Sequence, residues 1–160
     1  MTDDSDIRPG ETRLHHDPPE DAWLQFIGVI HTPFRTRADC PRQGRADGPV
    51  CNVEIFDPWA PALEGIDAFE TIELLYWLDR SRRDLLTQSP KSDGRTVGTF
   101  ALRSPVRPNP IGTSRVRLER REGNRLLVRG LDCIDGTPLV DIKPDRCAFT
   151  PQAPDKHGVS

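Results

Sequence analysis

The 160-residue chain carries 22 Lys and Arg against 25 Asp and Glu, a net charge of −3, with 16 prolines, 12 glycines and 35% hydrophobic residues. That length suits one domain with a real core, and the density of proline and glycine excludes a helical bundle in favour of a turn-rich, mainly β architecture. No apolar run approaches the roughly 20 residues of a membrane span and the acidic N-terminus does not read as a signal peptide, so a soluble, cytoplasmic protein is expected.

Residues 1–22 are polar and without periodicity and are expected as a flexible N-terminal tail; 23–150 form the domain, and 151–160 a C-terminal tail. The apolar run from Trp23 to His31 predicts a first, buried strand. Residues 35–50 mix Arg, Asp, Gly and Pro without alternation, a long loop of the kind that carries function, with Pro41-Arg42-Gln43-Gly44 inside it. Cys51 to Phe56 alternates as a second strand. Leu63, Ile66 and Phe69 recur every three residues along a short helix that Pro61 can begin. Ile72 to Leu78 reads as a third, deeply buried strand ending at Asp79-Arg80, and residues 81–95 as a loop or short helix. Thr96 to Leu102 alternates as a fourth strand and delivers the chain into Arg103-Ser104-Pro105-Val106-Arg107-Pro108-Asn109-Pro110-Ile111-Gly112.

Three prolines in that segment fix φ and remove donors, so it is an extended loop and not a helix or central strand. A stiff loop bearing forked guanidiniums pre-pays its ordering entropy, which suits holding a carboxylate, a phosphate or a nucleotide. Beyond it, Arg115 to Glu119 alternates as a half-exposed strand, Glu122-Gly123-Asn124 turns it into Arg125 to Cys133, Asp135-Gly136 predicts a tight hairpin turn, and Leu139 to Ile142 is the last strand. Seven short strands with one or two short helices make a small closed or nearly closed β-barrel. With no G-x-G-x-x-G after a strand, a Rossmann fold is disfavoured.

Charge is distributed unevenly. Residues 80–121 hold eleven Lys and Arg and three acids, a local +8, which marks one basic face for an anionic partner. Nucleophile elbow, P-loop and H-E-x-x-H are all missing, and His31 is the sole imidazole outside the expected tails, so a His-activated hydrolase is disfavoured. Cys40, Cys51, Cys133 and Cys147 contain no C-x-x-C pair, which fits reduced structural thiols and not a metal site. The polar residues at strand ends are Pro41-Arg42-Gln43, Asp79-Arg80, Arg103 with Arg107 and Asn109, Asp132 and Asp135, and Asp141 with Lys143. They fit either a structural ion-pair network or a cleft of mixed charge for a zwitterionic or sulfonium ligand beside an anionic one.

Four motifs in order, I-G-V-I-H-T-P-F at 27–34, P-R-Q-G at 41–44, R-S-P-V-R-P-N-P-I-G at 103–112 and L-D-C-I-D-G-T-P-L-V-D-I-K-P at 131–144, resemble the TrmO family, the TsaA-like or YaeB-like tRNA methyltransferases. The resemblance implies a homodimeric β-barrel that uses S-adenosyl-L-methionine to methylate N6 of threonylcarbamoyl-adenosine, just 3′ of the anticodon in tRNA. It implies a cofactor site of Pro41, Arg42, Gln43, Asp79, Arg80, Arg103, Thr113, Arg129, Gly130, Leu131 and Asp132, with Arg107, Asn109 and Lys143 toward the acceptor and no metal. No catalytic base is assigned, since methyl transfer from a sulfonium needs in-line placement more than a strong base. Position 145, a tyrosine in the family motif, is Asp145 here. The same residues also fit methyl transfer to another, small-molecule acceptor, or a non-catalytic RNA-binding barrel.

Overall fold

The computed structural model describes residues 6–15 and 21–145. Strands β1 (Thr12–Arg13), β2 (Gly28–His31), β3 (Val50–Ile55), β4 (Thr71–Trp77), β5 (Leu85–Gln88), β6 (Val97–Gly98), β7 (Ile111–Glu122), β8 (Arg125–Arg129) and β9 (Thr137–Pro144) follow in chain order. Six of them close a barrel in the order β2-β3-β8-β7-β4-β9, and β1-β5-β6 form a small satellite sheet. Closure leaves the barrel without a free edge.

Two-residue alternation decides which side chains fill the barrel. Ile72, Leu74 and Tyr76 of β4 point inward, as do Cys51, Val53 and Ile55 of β3 and Leu126 and Val128 of β8. Ile30, Val53, Ile72, Leu74, Leu126, Val128 and Leu139 have no exposed surface, and each contributes about 1.5–3 kcal/mol by burial. The hairpin β7–β8 turns at Gly123, whose φ of 63° needs glycine.

Every barrel pair is antiparallel. Direction therefore alternates around the barrel, which puts the ends of β2, β4 and β8 and the starts of β3, β7 and β9 at one rim. β8 and β9 lie three strands apart, on opposite walls. The connection 130–136 must cross the barrel mouth, and its Leu131 and Cys133, 2% and 3% exposed, plug it.

Several elements differ from the sequence reading. The first strand begins at Gly28, not Trp23, because β3 pairs only up to the Gly28↔Ile55 contact; Ile27 adds one last pair of backbone bonds, donating to the Leu139 carbonyl at 2.9 Å and accepting from the Phe56 amide at 3.0 Å, and Trp23, further out, is 90% exposed. Residues 81–95 include β5. Thr96–Leu102 gives only β6 and then a 3-10 turn over Thr99–Ala101, where the Thr99 hydroxyl donates to the Leu85 carbonyl at 2.7 Å and diverts the chain from the sheet. The helix at 61–69 is two 3-10 turns, Asp57–Leu63 and Ile66–Ala68, as expected where Pro58 and Pro61 deny α-helical donors. Asp135-Gly136 does turn the chain, with Gly136 at φ 83°, but it leads out of the plug and joins no hairpin.

The segment 1–22 is not a free tail over its described part. β1 pairs with β5, Arg8 Nη1 donates to the Ser89 carbonyl at 2.6 Å, and Glu11 Oε1 accepts from the Ser89 amide at 2.7 Å. The remainder of that segment, the expected C-terminal tail and Cys147 lie outside the described residues.

Candidate functional site

Every loop singled out from the sequence opens at the rim crossed by 130–136. The β2–β3 loop carries Pro41-Arg42-Gln43 after a 3-10 turn, Arg37–Asp39, that is capped by Thr36, whose amide and hydroxyl both donate to Asp39 Oδ2 at 2.8 and 2.9 Å. Those bonds hold the Asp39 carboxyl below its usual range. Gly44 then sits against the crossing segment. A Cβ placed on it would lie 1.7 Å from the Gly130 carbonyl oxygen, and its amide donates to Asp132 Oδ2 at 3.3 Å. Pro41–Gln43 and Gly130–Asp132, about ninety residues apart in the chain, are thus adjoining parts of one surface. Gly130 itself takes φ 116°, open only to glycine.

Asp132 is fixed from below. Its Oδ1 accepts from the Tyr76 hydroxyl at 3.0 Å and the Ser114 hydroxyl at 3.4 Å, and those two hydroxyls lie 2.7 Å apart. Tyr76 is 3% exposed, and burial, reinforced by the Asp132 carboxylate, pushes its hydroxyl far up, so it stays a donor. Neither Tyr76 nor Ser114 was singled out from the sequence. Both are inward-facing members of otherwise apolar strands, and a hydroxyl among inward Ile, Leu and Val is the signal that could have found them.

The β4–β7 connection is closed at its base by the Leu78 amide donating to the Pro110 carbonyl at 2.8 Å. Asp79 and Arg80 beside it face Asp135 and Gly136 across a cavity of about 40 Å³. Asp79, Arg80, Arg103, Asn109, Arg42 and Gln43 are exposed, and their side chains have no hydrogen-bond or ion-pair partner among the described residues.

The other expected site residues are already engaged within the chain. Arg107 Nη1 donates to the Leu102 and Ser104 carbonyls at 3.0 and 3.1 Å and folds the proline loop on itself. Arg129 donates to Glu119 Oε1 at 2.9 Å and to the Gly48 carbonyl at 2.7 Å, tying the long loop to β8. Thr113, on the outer face of β7, donates to Glu73 Oε1 at 2.7 Å. Leu131 is core, so only its backbone is open to a ligand. Lys143 lies at the far end of β9, paired with Asp141 at 2.9 Å, six residues and roughly 20 Å from the crossed rim. His31 bridges Glu54 at 3.0 Å and Asp135 at 3.6 Å and braces the rim.

Outside β7, below Gly44 and Gly130, a cleft of about 540 Å³ is lined by Arg115, Arg117 and Arg129. Arg115 pairs there with Asp145 at 3.2 Å. Among the described residues no group of three His, Cys, Asp or Glu could hold a metal ion, and no helix is long and apolar enough to cross a membrane.

Comparison with known proteins gives a consistent result. The model of the tRNA-methyltransferase O N-terminal domain family matches residues 29–149. A probable S-adenosyl-L-methionine-binding protein, VirR, of Rhizobium radiobacter is 53% identical over 148 residues, covering 92% of this chain and 85% of that protein. An S-adenosyl-L-methionine-binding protein of Archaeoglobus fulgidus is 46% identical over 120 residues, covering 75% and 86%. A crystal structure of TrmO superposes with a TM-score of 0.68 at 33% identity, covering 86% of this chain, and TrmO from Pseudomonas aeruginosa with 0.65 at 31%, covering 87%. The chain spans 64% and 63% of those two solved chains, under two thirds of each.

Proposed function

Because the chain belongs to the TrmO family, we propose that it is an S-adenosyl-L-methionine-dependent methyltransferase whose cofactor lies at the crossed rim and whose acceptor is tRNA, at N6 of threonylcarbamoyl-adenosine next to the anticodon. A homodimer in the cytoplasm is part of the same reading. One observation carries it: three protein donors hold the Asp132 carboxylate in place at the rim onto which the loops bearing Arg42, Gln43, Asp79, Arg80 and Arg103 open, and those side chains have no partner among the described residues. That donor set fits an amino-acid nucleoside. Arg103, cationic and without a partner among the described residues, suits the amino-acid carboxylate, with Arg42 and Gln43 next to Gly44, which touches the Gly130–Asp132 backbone that can meet an adenine edge. Asp132 has one acceptor position left for an amine or ribose hydroxyl after Tyr76, Ser114 and Gly44.

Bound there, the sulfonium supplies an electrophilic methyl group. The chain's own part is to orient and to exclude water. The rigid proline loop, closed by Arg107, fixes Arg103, and the Leu131–Cys133 plug gives the site a dry floor. Asn109 and the basic residues of the β4–β7 connection would meet the RNA in this reading.

Calorimetry should give one S-adenosyl-L-methionine per subunit, and Arg103→Ala should weaken it at least tenfold, the scale of a lost charge-assisted pair. Absence of binding by the intact protein overturns the reading. Mass spectrometry of tRNA nucleosides from cells with and without the gene tests the acceptor. Unchanged levels of methylated threonylcarbamoyl-adenosine would refute the tRNA assignment while leaving the cofactor assignment intact.

A further inference from the structure

Phe100 is 82% exposed, at the centre of the 3-10 turn Thr99–Ala101 in the β4–β7 connection. It does not hang from a slack loop. Thr99, 3% exposed, donates to the Leu85 carbonyl at 2.7 Å, and Gln88, 7% exposed, donates to Thr99 Oγ1 at 3.0 Å and to the Val106 carbonyl at 2.7 Å. This buried bracket ties β5, the turn and the proline loop together, and the N-terminal Arg8 and Glu11 clamp β5 from behind through Ser89. A large aromatic is therefore presented to water on a rigid mount.

Its surroundings are cationic. Residues 85–110 contain Lys91, Arg95, Arg103 and Arg107 and one acid, Asp93. Lys91, Arg95 and Arg103 are exposed, with no carboxylate paired to their side chains among the described residues. Arg103 is three residues from Phe100, within about 10 Å along the chain. An exposed aromatic with cations close to it along the chain, none of them paired to a carboxylate among the described residues, is the combination that holds single-stranded nucleic acid, the ring stacking on a base and the cations meeting phosphates. A second copy laid on this patch about a two-fold axis would set the same cations against each other.

We propose that Phe100 is a base-stacking platform for a single-stranded segment of the acceptor RNA, with Lys91 and Arg95 as its phosphate contacts. This rests on the RNA-methyltransferase reading and adds the residue that grips an unpaired base outside the cofactor site. Stacking uses the π-face, so it predicts tolerance of base identity and a strict need for a base.

The test measures binding of single-stranded oligoadenylate and of an abasic ribose-phosphate strand of equal charge, using the intact chain. Phe100→Leu should weaken oligoadenylate binding by about 5- to 100-fold, leave abasic binding unchanged, and leave the salt dependence unchanged. Phe100→Trp should retain binding. Lys91→Ala and Arg95→Ala should each lower the salt slope by about one and weaken both strands alike. Wild-type affinity in Phe100→Leu overturns the inference. So does a loss that follows subunit dissociation or a loss of S-adenosyl-L-methionine binding, which would assign Phe100 to a subunit interface or to the cofactor. Methyl transfer to tRNA by the wild type, assayed alongside, separates the levels. A methylating wild type with an RNA-tight Phe100→Leu sinks this inference alone, and a wild type that neither binds RNA nor transfers methyl sinks both.

Discussion

Gly44→Ala is the sharpest single-atom test of the crossed rim. The added methyl carbon would lie 1.7 Å from the Gly130 oxygen and 2.4 Å from its carbonyl carbon, where a carbon and an oxygen tolerate about 3.3 Å. Gly130 cannot yield, because it sits between β8 and the buried plug. The loop must therefore retreat by about 1.5 Å, which breaks the Gly44 amide bond to Asp132 and displaces Pro41–Gln43. Loss of a hydrogen bond to a charged group costs about 1.5–3 kcal/mol at most, and the exposed loop moves more easily than the barrel, so a Tm loss of a few degrees is expected. Function should suffer more than stability, since an ångström-scale misplacement of binding groups costs on the order of a hundredfold. Calorimetry with S-adenosyl-L-methionine and a thermal melt read the two effects separately. Gly123→Ala is the control. Its φ is 63° with nothing within 4 Å, at the opposite rim, so it should cost about 1–2 kcal/mol of backbone strain with affinity unchanged. Wild-type affinity in Gly44→Ala would refute the single-surface reasoning, and a collapse of the fold would refute the claim that the loop yields first.

Tyr76→Phe keeps the ring packed on Gly112 and removes only the hydroxyl from Asp132 and Ser114. It should destabilise by about 1.5–3 kcal/mol and weaken cofactor binding in calorimetry; unchanged affinity would refute the positioning of Asp132 by Tyr76. The thiols predict the alkaline limit. Burial pushes the Cys51 thiol up to about 11 and the Cys133 thiol up to about 12. Above about pH 9 the unfolded chain releases thiol protons that the fold retains, so stability falls as pH rises, by up to about 1.4 kcal/mol per pH unit for each thiol. Urea unfolding at pH 8 and pH 10.5 should show that loss, and Cys133→Ala should flatten it; equal slopes for wild type and variant would refute it.

The barrel was legible because alternation is local. Val53 and Ile55, or Ile72, Leu74 and Tyr76, announce an inward face by period alone, and no distant residue is needed to read it. The stiff loop at 103–112 was legible for the same reason, since proline fixes its own φ. Where alternation had no partner strand, the reading failed. Trp23–Phe26 looks like a strand and lies outside the barrel ladder, and Thr96–Leu102 was diverted by a threonine hydroxyl whose acceptor is fourteen residues away.

The sequence by itself also determined the family, because the order of four motifs is a property of the chain. Only the tertiary structure decided which of their residues are free to bind. Arg103 and Arg107 are equivalent in sequence, yet Arg107 closes its own loop and Arg103 has no partner among the described residues. Lys143 belongs to a site motif and lies at the wrong end of β9 for that rim. Tyr76, Ser114 and Gly44 meet at Asp132 because β8 and β9 stand on opposite walls, which forces residues 130–136 across the barrel mouth. Strand order is set by pairings between distant segments, and no local pattern of residues encodes it.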